Sequence, residues 1–83
     1  MVINVKVLYF GQARDAAGTT SEQISLTAPA SVRDLIEQAE GRHRALVRLN
    51  RTTRVAVNAE LATNDKRLDD GDEVAFLPPV AGG

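Results

Sequence analysis

Ser31-Val32-Arg33-Asp34-Leu35-Ile36-Glu37-Gln38-Ala39-Glu40-Gly41 is the stretch on which the fold turns. Val32, Leu35, Ile36 and Ala39 fall at i, i+3, i+4 and i+7, which puts them on one stripe of a helix. Arg33, Asp34, Glu37, Gln38 and Glu40 are left for solvent. Ser31 suits the N-cap, and Asp34 three residues on stands in for the usual capping-box glutamate. Gly41 is expected to stop the helix. A helix with a single apolar stripe needs a sheet to pack on.

Sheet-forming patterns lie on both sides. Residues 2–10 alternate, with Ile3, Val5, Val7 and Tyr9 on one uniformly apolar face and Asn4, Lys6, Leu8 and Phe10 on the other. The first set is expected to face the core, and Leu8 to sit on the exposed face of the sheet. Residues 13–17 allow a short helical turn ended by Gly18. Residues 21–26 read as a second strand paired with the first, with Ile24 and Leu26 inward and Pro29 beyond its end. Downstream, residues 42–50 allow a short second helix. Residues 54–58 read as a strand with Val55 and Val57 on one face. Leu61 and Leu68 are expected as isolated apolar anchors in a polar connection. Asp69-Asp70-Gly71-Asp72 is a tight turn by composition. Residues 73–77 read as the last strand, with Val74 and Phe76 inward and Ala75 and Leu77 outward.

The first and last strands are the most apolar, so they are expected at the centre and side by side. Pairing them in parallel puts the helix in the long crossover between them. The expected class is α+β, a mixed sheet of four to five strands over one main helix. This is the β-grasp, or ubiquitin-like, arrangement. The domain is expected to span residues 1–77, with residues 78–83 as a flexible tail.

Composition narrows the chemistry. The 83 residues contain no cysteine and one histidine, His43. That leaves no disulfide framework, no thiol nucleophile, no Ser-His-Asp or Cys-His constellation and no metal site to expect. Asp69, Asp70 and Asp72 surround a glycine and read as turn formers. Neither a phosphate-binding Gly-x-x-x-x-Gly-Lys loop nor a Gly-x-Gly-x-x-Gly fingerprint occurs. Residues 42–54 hold five arginines, Arg42, Arg44, Arg48, Arg51 and Arg54, and no acid, yet the formal net charge is −1. Without an aromatic residue to stack on a base, that cluster reads as a solvated or protein-facing surface, and no nucleic acid is expected. His43, beside two arginines, reads as a surface residue. Asn4 and Lys6 break the apolar start, so no secretory signal is expected, and no stretch is long enough to span a membrane. A cytoplasmic location is the expectation.

The chemistry that remains lies in Leu77-Pro78-Pro79-Val80-Ala81-Gly82-Gly83. Pro78 and Pro79 fix φ, lack amide protons and favour the stiff polyproline conformation, so no sheet ladder continues through them. Gly82 and Gly83 are bare of side chains. Beyond this neck, Val80, Ala81, Gly82 and Gly83 reach about 13 Å at ~3.3 Å per residue. Such a tip fits a narrow tunnel and can deliver its terminal carboxyl carbon to another protein's active site. The carboxylate is an anion at neutral pH and must first be activated, for instance as an acyl-adenylate. A sulfur donor or an amine can then capture it.

Val5-Lys6-Val7-Leu8-Tyr9-Phe10-Gly11-Gln12-Ala13-Arg14 resembles the opening of the small, sulfur-carrier subunit family of molybdopterin synthase, of the MoaD/ThiS type. Asp70-Gly71-Asp72-Glu73-Val74-Ala75-Phe76-Leu77-Pro78-Pro79-Val80-Ala81-Gly82-Gly83 resembles that family's ending more specifically, and Val55-Ala56-Val57-Asn58 also fits. Residues 42–54 carry no recognisable family pattern. The resemblance implies a chain with no permanently bound cofactor and no catalytic apparatus of its own. An ATP-dependent enzyme of the ubiquitin-activating type adenylates Gly83, and a persulfide sulfur then gives a thiocarboxylate. The tail inserts into the large synthase subunit, in a heterotetramer of two small and two large chains. Sulfur passes there to cyclic pyranopterin monophosphate. Leu77, Pro78, Pro79 and Leu8 are the implied docking residues. Carriers for thiazole or cysteine synthesis share the fold and the Gly-Gly end. A lysine-attached protein modifier and a binding domain with an inert tail also remain open.

Overall fold

The alternation at the start of the chain becomes strand β1 (Val2–Tyr9) in a computed structural model that describes residues 1–79. Ile3, Val5, Val7 and Tyr9 are buried, Val2, Asn4 and Lys6 are exposed, and Leu8 is half-buried. Helix α1 (Gly11–Ala17) starts two residues earlier than the alanines suggest. The chain turns into it at Gly11, whose φ of +52° is a left-handed conformation that glycine adopts at little cost. Strand β2 (Ser21–Thr27) returns antiparallel along β1, from Leu8↔Ser21 to Val2↔Thr27.

Strand β3 (Ala30–Ser31) leads into the main helix, α2 (Val32–Arg42). Ser31 and Asp34 form a reciprocal capping box: the Asp34 N–H donates to Ser31 Oγ at 3.4 Å, and the Ser31 N–H donates to Asp34 Oδ2 at 2.9 Å. Val32, Leu35 and Ala39 are buried and Ile36 packs at the edge of the core. The helix does not stop at Gly41, contrary to the sequence expectation. Gly41 stays out of the left-handed region, and the helix ends only at His43, whose N–H bonds to the Ala39 carbonyl at 2.8 Å. Arg42 and His43 are both held from β2, as described below, and that tertiary anchorage carries the helix past its glycine.

Helix α3 (Leu46–Leu49) buries Leu46 and packs on α1 and α2. Strands β4 (Arg54–Val57), β5 (Glu60–Ala62), β6 (Arg67–Leu68) and β7 (Glu73–Leu77) complete the described chain. The main sheet runs β2-β1-β7-β4-β5, and β3 pairs with β6 in a second, two-stranded sheet. β1 and β7 are parallel, from Lys6↔Glu73 to Tyr9↔Phe76, with α2 in the crossover between them. β4 runs antiparallel to both β7 and β5. This is the β-grasp arrangement, with five strands in the main sheet.

One core joins sheet and helix. Tyr9, Phe76, Ile3, Ile24, Leu35 and Leu46 are its largest fully buried side chains, and burying side chains of this kind contributes about 1.5–3 kcal/mol each. Leu68 is buried in β6, as an anchor should be, but Leu61 is 63% exposed. Leu61 is not an anchor, because β5 is an edge strand and its middle residue points away from α2. Two of the three carboxylates in the 69–72 turn are taken up by local hydrogen bonds. Asp72 accepts from the Asp69 N–H at 2.8 Å, and Asp70 accepts from the Asn4 N–H at 2.7 Å. Gly71, at φ +87°, makes the turn possible.

Candidate functional site

β7 delivers the chain to the end of the sheet. Val74 and Phe76 are fully buried, so alternation places Ala75 and Leu77 on the outer face, away from α2. Leu77 and Pro78 are half-buried and Pro79 is exposed. The neck leaves beside the start of α1: a Cβ placed on Gly11 would lie 3.8 Å from Pro78 Cγ, an ordinary contact. Val80, Ala81, Gly82 and Gly83, the tail-threading and reactive residues expected from the sequence, lie outside the described residues.

Register then assembles a surface that the sequence does not announce. Leu8 pairs with Ala75, Ala75 with Ala56, and Ala56 with Leu61. Four apolar residues therefore cross β1, β7, β4 and β5 in one row on the outer face. Ala56 is 5% exposed despite facing outward. Leu77 stands one pleat further along β7, opposite Arg54. Phe10, 48% exposed, follows the end of β1 at the same end of the sheet. Leu8 and Leu77 thus share a face, as expected from parity, and Ala56, Leu61 and Phe10 join them. Phe10 already follows from parity with Leu8, but a strand-by-strand reading misses Ala56 and Leu61, since only the cross-strand register brings them into the row.

A polar cluster pins the inner side of that same end. The Tyr9 hydroxyl donates to Glu22 Oε2 at 2.5 Å, and His43 Nε2 lies 2.6 Å from the same oxygen. Arg42 Nη1 donates to Glu22 Oε1 at 3.2 Å. His43 is therefore not the surface residue that its sequence neighbours suggest. Its ring meets Tyr9 edge-on at 5.8 Å, and only a fifth of its side chain is exposed. Burial alone would push the Glu22 carboxyl up. The hydrogen bonds from Tyr9, His43 and Arg42 and the charge of His43 outweigh burial and hold it below the usual glutamate range. Burial first, and then the Glu22 carboxylate, push the Tyr9 phenol well above its ordinary value. The three donors converge on one carboxylate with no nucleophile beside it, so the cluster is a structural pin rather than an acid–base site. A shallow hollow of about 530 Å³, lined by Asn58, Leu61, Asp65, Lys66, Asp69 and Asp72 among others, reaches the opposite end of β7. Among the described residues, no group of three or more His, Cys, Asp or Glu side chains is arranged to hold a metal ion.

Comparison with known proteins gives the surface a context. The family model described as ThiS family matches residues 7–83. The molybdopterin synthase sulfur carrier subunit of Chlamydomonas reinhardtii is 40% identical over 83 residues, covering 98% of this chain and 100% of that protein. A solved structure of a putative molybdopterin converting factor, subunit 1, from Pyrococcus furiosus superposes with a TM-score of 0.86 at 37% identity, covering 94% of this chain and 99% of that one. A complex of subunits 1 and 2 of the molybdopterin-converting factor from Helicobacter pylori contains a chain that superposes with a TM-score of 0.67 at 26% identity, covering 98% and 100%.

Proposed function

The chain belongs to the ThiS family, over residues 7–83, and from that premise we propose that it is the sulfur-carrier subunit of a molybdopterin synthase. The observation that carries the reading is the end-to-end match, 40% identical, with a protein named for that role. The terminal Gly82-Gly83 pair and its proline neck agree with it.

In this reading the chain brings a reactive terminus, and its partners bring the catalysis. An adenylating enzyme uses ATP to convert the Gly83 carboxylate to an acyl-adenylate, turning a poor electrophile into a good one. The outer sulfur of a persulfide attacks the acyl carbon and displaces AMP, giving an acyl persulfide. A thiol then attacks the inner sulfur, releasing the thiocarboxylate on Gly83 and leaving a disulfide behind. Val80, Ala81 and Gly82 thread the tunnel, where their small side chains leave room for close walls. The large subunit supplies the catalytic side chains and holds cyclic pyranopterin monophosphate, to which the sulfur passes. The dithiolene of molybdopterin needs two sulfurs, which suits a heterotetramer of two small and two large chains whose carriers are consumed and recharged. In this reading the reaction runs in the cytoplasm. Among the described residues, no helix is long and apolar enough to cross a membrane.

Docking follows from the outer face. Leu77, Pro78 and Pro79 lead into the tail, and Leu8, Ala75, Ala56 and Leu61 form a continuous apolar row behind them. An apolar row with a charged margin has the anatomy of a protein interface. Intact mass of the protein from cells with and without the activating enzyme tests the reading. Sulfur replacing one oxygen on the free chain is the expected result. Ladders of conjugates would point to a protein modifier, and an unchanged mass would leave a binding domain with an inert tail; either overturns the carrier reading. The partner that co-purifies distinguishes molybdopterin synthesis from a thiazole or cysteine pathway.

A further inference from the structure

The arginines of the 42–54 segment have no part in the carrier chemistry, yet the fold gathers them at the tail-bearing end. Because β1 and β7 are parallel and β4 opposes them, the end of β7 lies beside the start of β4. Arg54 therefore faces Leu77 across the ladder on the outer face. Upstream, Thr53 Oγ1 donates to the Leu49 carbonyl at 2.7 Å and the Arg51 N–H donates to the Arg48 carbonyl at 3.4 Å. These bonds wind Arg48 and Arg51 into a tight cap that enters β4. Arg44 lies just before α3, which packs on α1, the element next to Pro78. Arg44, Arg48, Arg51 and Arg54 are all exposed. Among the described residues only Arg42 of the five has an acid within ion-pair distance, namely Glu22.

The opposite end of the sheet has the reverse sign. Asp69, Asp70 and Asp72 make the turn into β7, Glu73 begins it and Glu60 opens β5, on the far side of β4, against Lys6 on β1 and Lys66 and Arg67 just before the turn. The near-zero net charge thus hides a dipole whose positive pole lies at the end of the sheet where Leu77 and Pro78 leave β7.

We propose that Arg44, Arg48, Arg51 and Arg54 form a docking collar for an acidic rim on the large subunit, beside the entrance that takes the tail. The proposal rests on the carrier reading above. The collar meets the apolar docking row through Arg54, the cross-strand partner of Leu77, as a charged rim adjoins an interface core. Guanidinium groups suit carboxylates, which they meet in a planar, two-pronged geometry. A dipole with its positive pole at the tail turns the tail toward a negatively charged entrance during encounter, which raises association rate more than lifetime. A nucleic acid is the poorer occupant, because residues 42–54 contain no Phe, Tyr or Trp and the acidic pole repels a long polyanion.

Association of the full chain with its large subunit, followed by stopped flow at low and high ionic strength, tests this. Changing Arg44, Arg48 and Arg51 together to Glu should slow association about tenfold or more at low salt and flatten its salt dependence. Dissociation should change by no more than about twofold. The Arg→Gln triple variant, which adds no repulsion, should fall between it and wild type, and circular dichroism checks that each variant is folded. Equal rates and salt slopes for wild type and both variants would overturn the collar while leaving the carrier reading intact. Failure of the wild-type chain to bind the large subunit would instead overturn the carrier reading and the collar with it. Salt-sensitive binding of a single-stranded oligonucleotide that the Glu variant loses, with large-subunit association unchanged, would assign the arginines to a nucleic acid and overturn the proposal.

Discussion

Tyr9 and Phe76 are direct partners on parallel strands, their ring centroids 5.5 Å apart and their planes crossed at 77°. They are the last inward residues of β1 and β7, both essentially without exposure. This edge-to-face pair closes the core where the tail begins, and one residue further on the chain turns outward to Leu77.

Phe76→Ala should therefore cost about 3–5 kcal/mol of stability, the usual range for deleting a buried phenylalanine. Leu77→Ala, one residue away but on the half-buried outer face, should cost only about 1 kcal/mol. Urea unfolding monitored by circular dichroism checks the contrast. Equal losses would place Leu77 in the core.

Leu61→Glu should leave stability within about 0.5 kcal/mol of wild type, because the residue is exposed at an edge strand. The same change should weaken binding to the large subunit by about 2 kcal/mol or more if the row from Leu8 to Leu61 is the docked surface. Calorimetric titration reads the affinity. Unaltered binding would confine the interface to the neck.

Glu22 titrates below its usual range in the folded protein. Its unfolded form binds protons first on acidification, so its contribution is present above about pH 4.5 and fades as pH falls through the lower folded value. Glu22→Gln should cost about 1–2 kcal/mol at pH 7 through the loss of charged hydrogen bonds. The difference from wild type should shrink in melts at pH 3. A constant difference across that range would contradict the ionised pin.

Asn58 and Ala59 turn the β4–β5 hairpin with φ of +50° and +72°. Asparagine adopts this region at little cost, whereas alanine is strained there by about 1–2 kcal/mol. Ala59→Gly should raise stability by about 0.5–1 kcal/mol, the relief of strain exceeding the added chain entropy. An unchanged or lower midpoint in urea would show that the turn carries no such strain.

The elements readable from the sequence are those whose signal is local. The alternation of β1 and β7, the Ser31–Asp34 capping box and the stripe from Val32 to Ala39 all lie within a few residues of one another. β5 and β6, of three and two residues, are too short to show a period and exist because β4 and β3 offer partners. The extension of α2 past Gly41 and the burial of His43 depend on Glu22, some twenty residues away. The same is true of the outer row. Leu8 and Leu77 follow from parity within their strands, but Ala56 and Leu61 become part of a surface only once four strands are in register.

On the proposed function, Gly83 carries the sulfur and gives it up to the large subunit. The most direct measurement charges the purified chain with the activating enzyme, ATP and a sulfur donor, then adds the large subunit and cyclic pyranopterin monophosphate and counts molybdopterin formed. Wild type should yield one molybdopterin for every two thiocarboxylates consumed, and a chain lacking Gly83, or carrying one extra residue after it, should yield none. Molybdopterin formed from the shortened or extended chain, or none from a wild-type chain shown by mass to be charged, would contradict it.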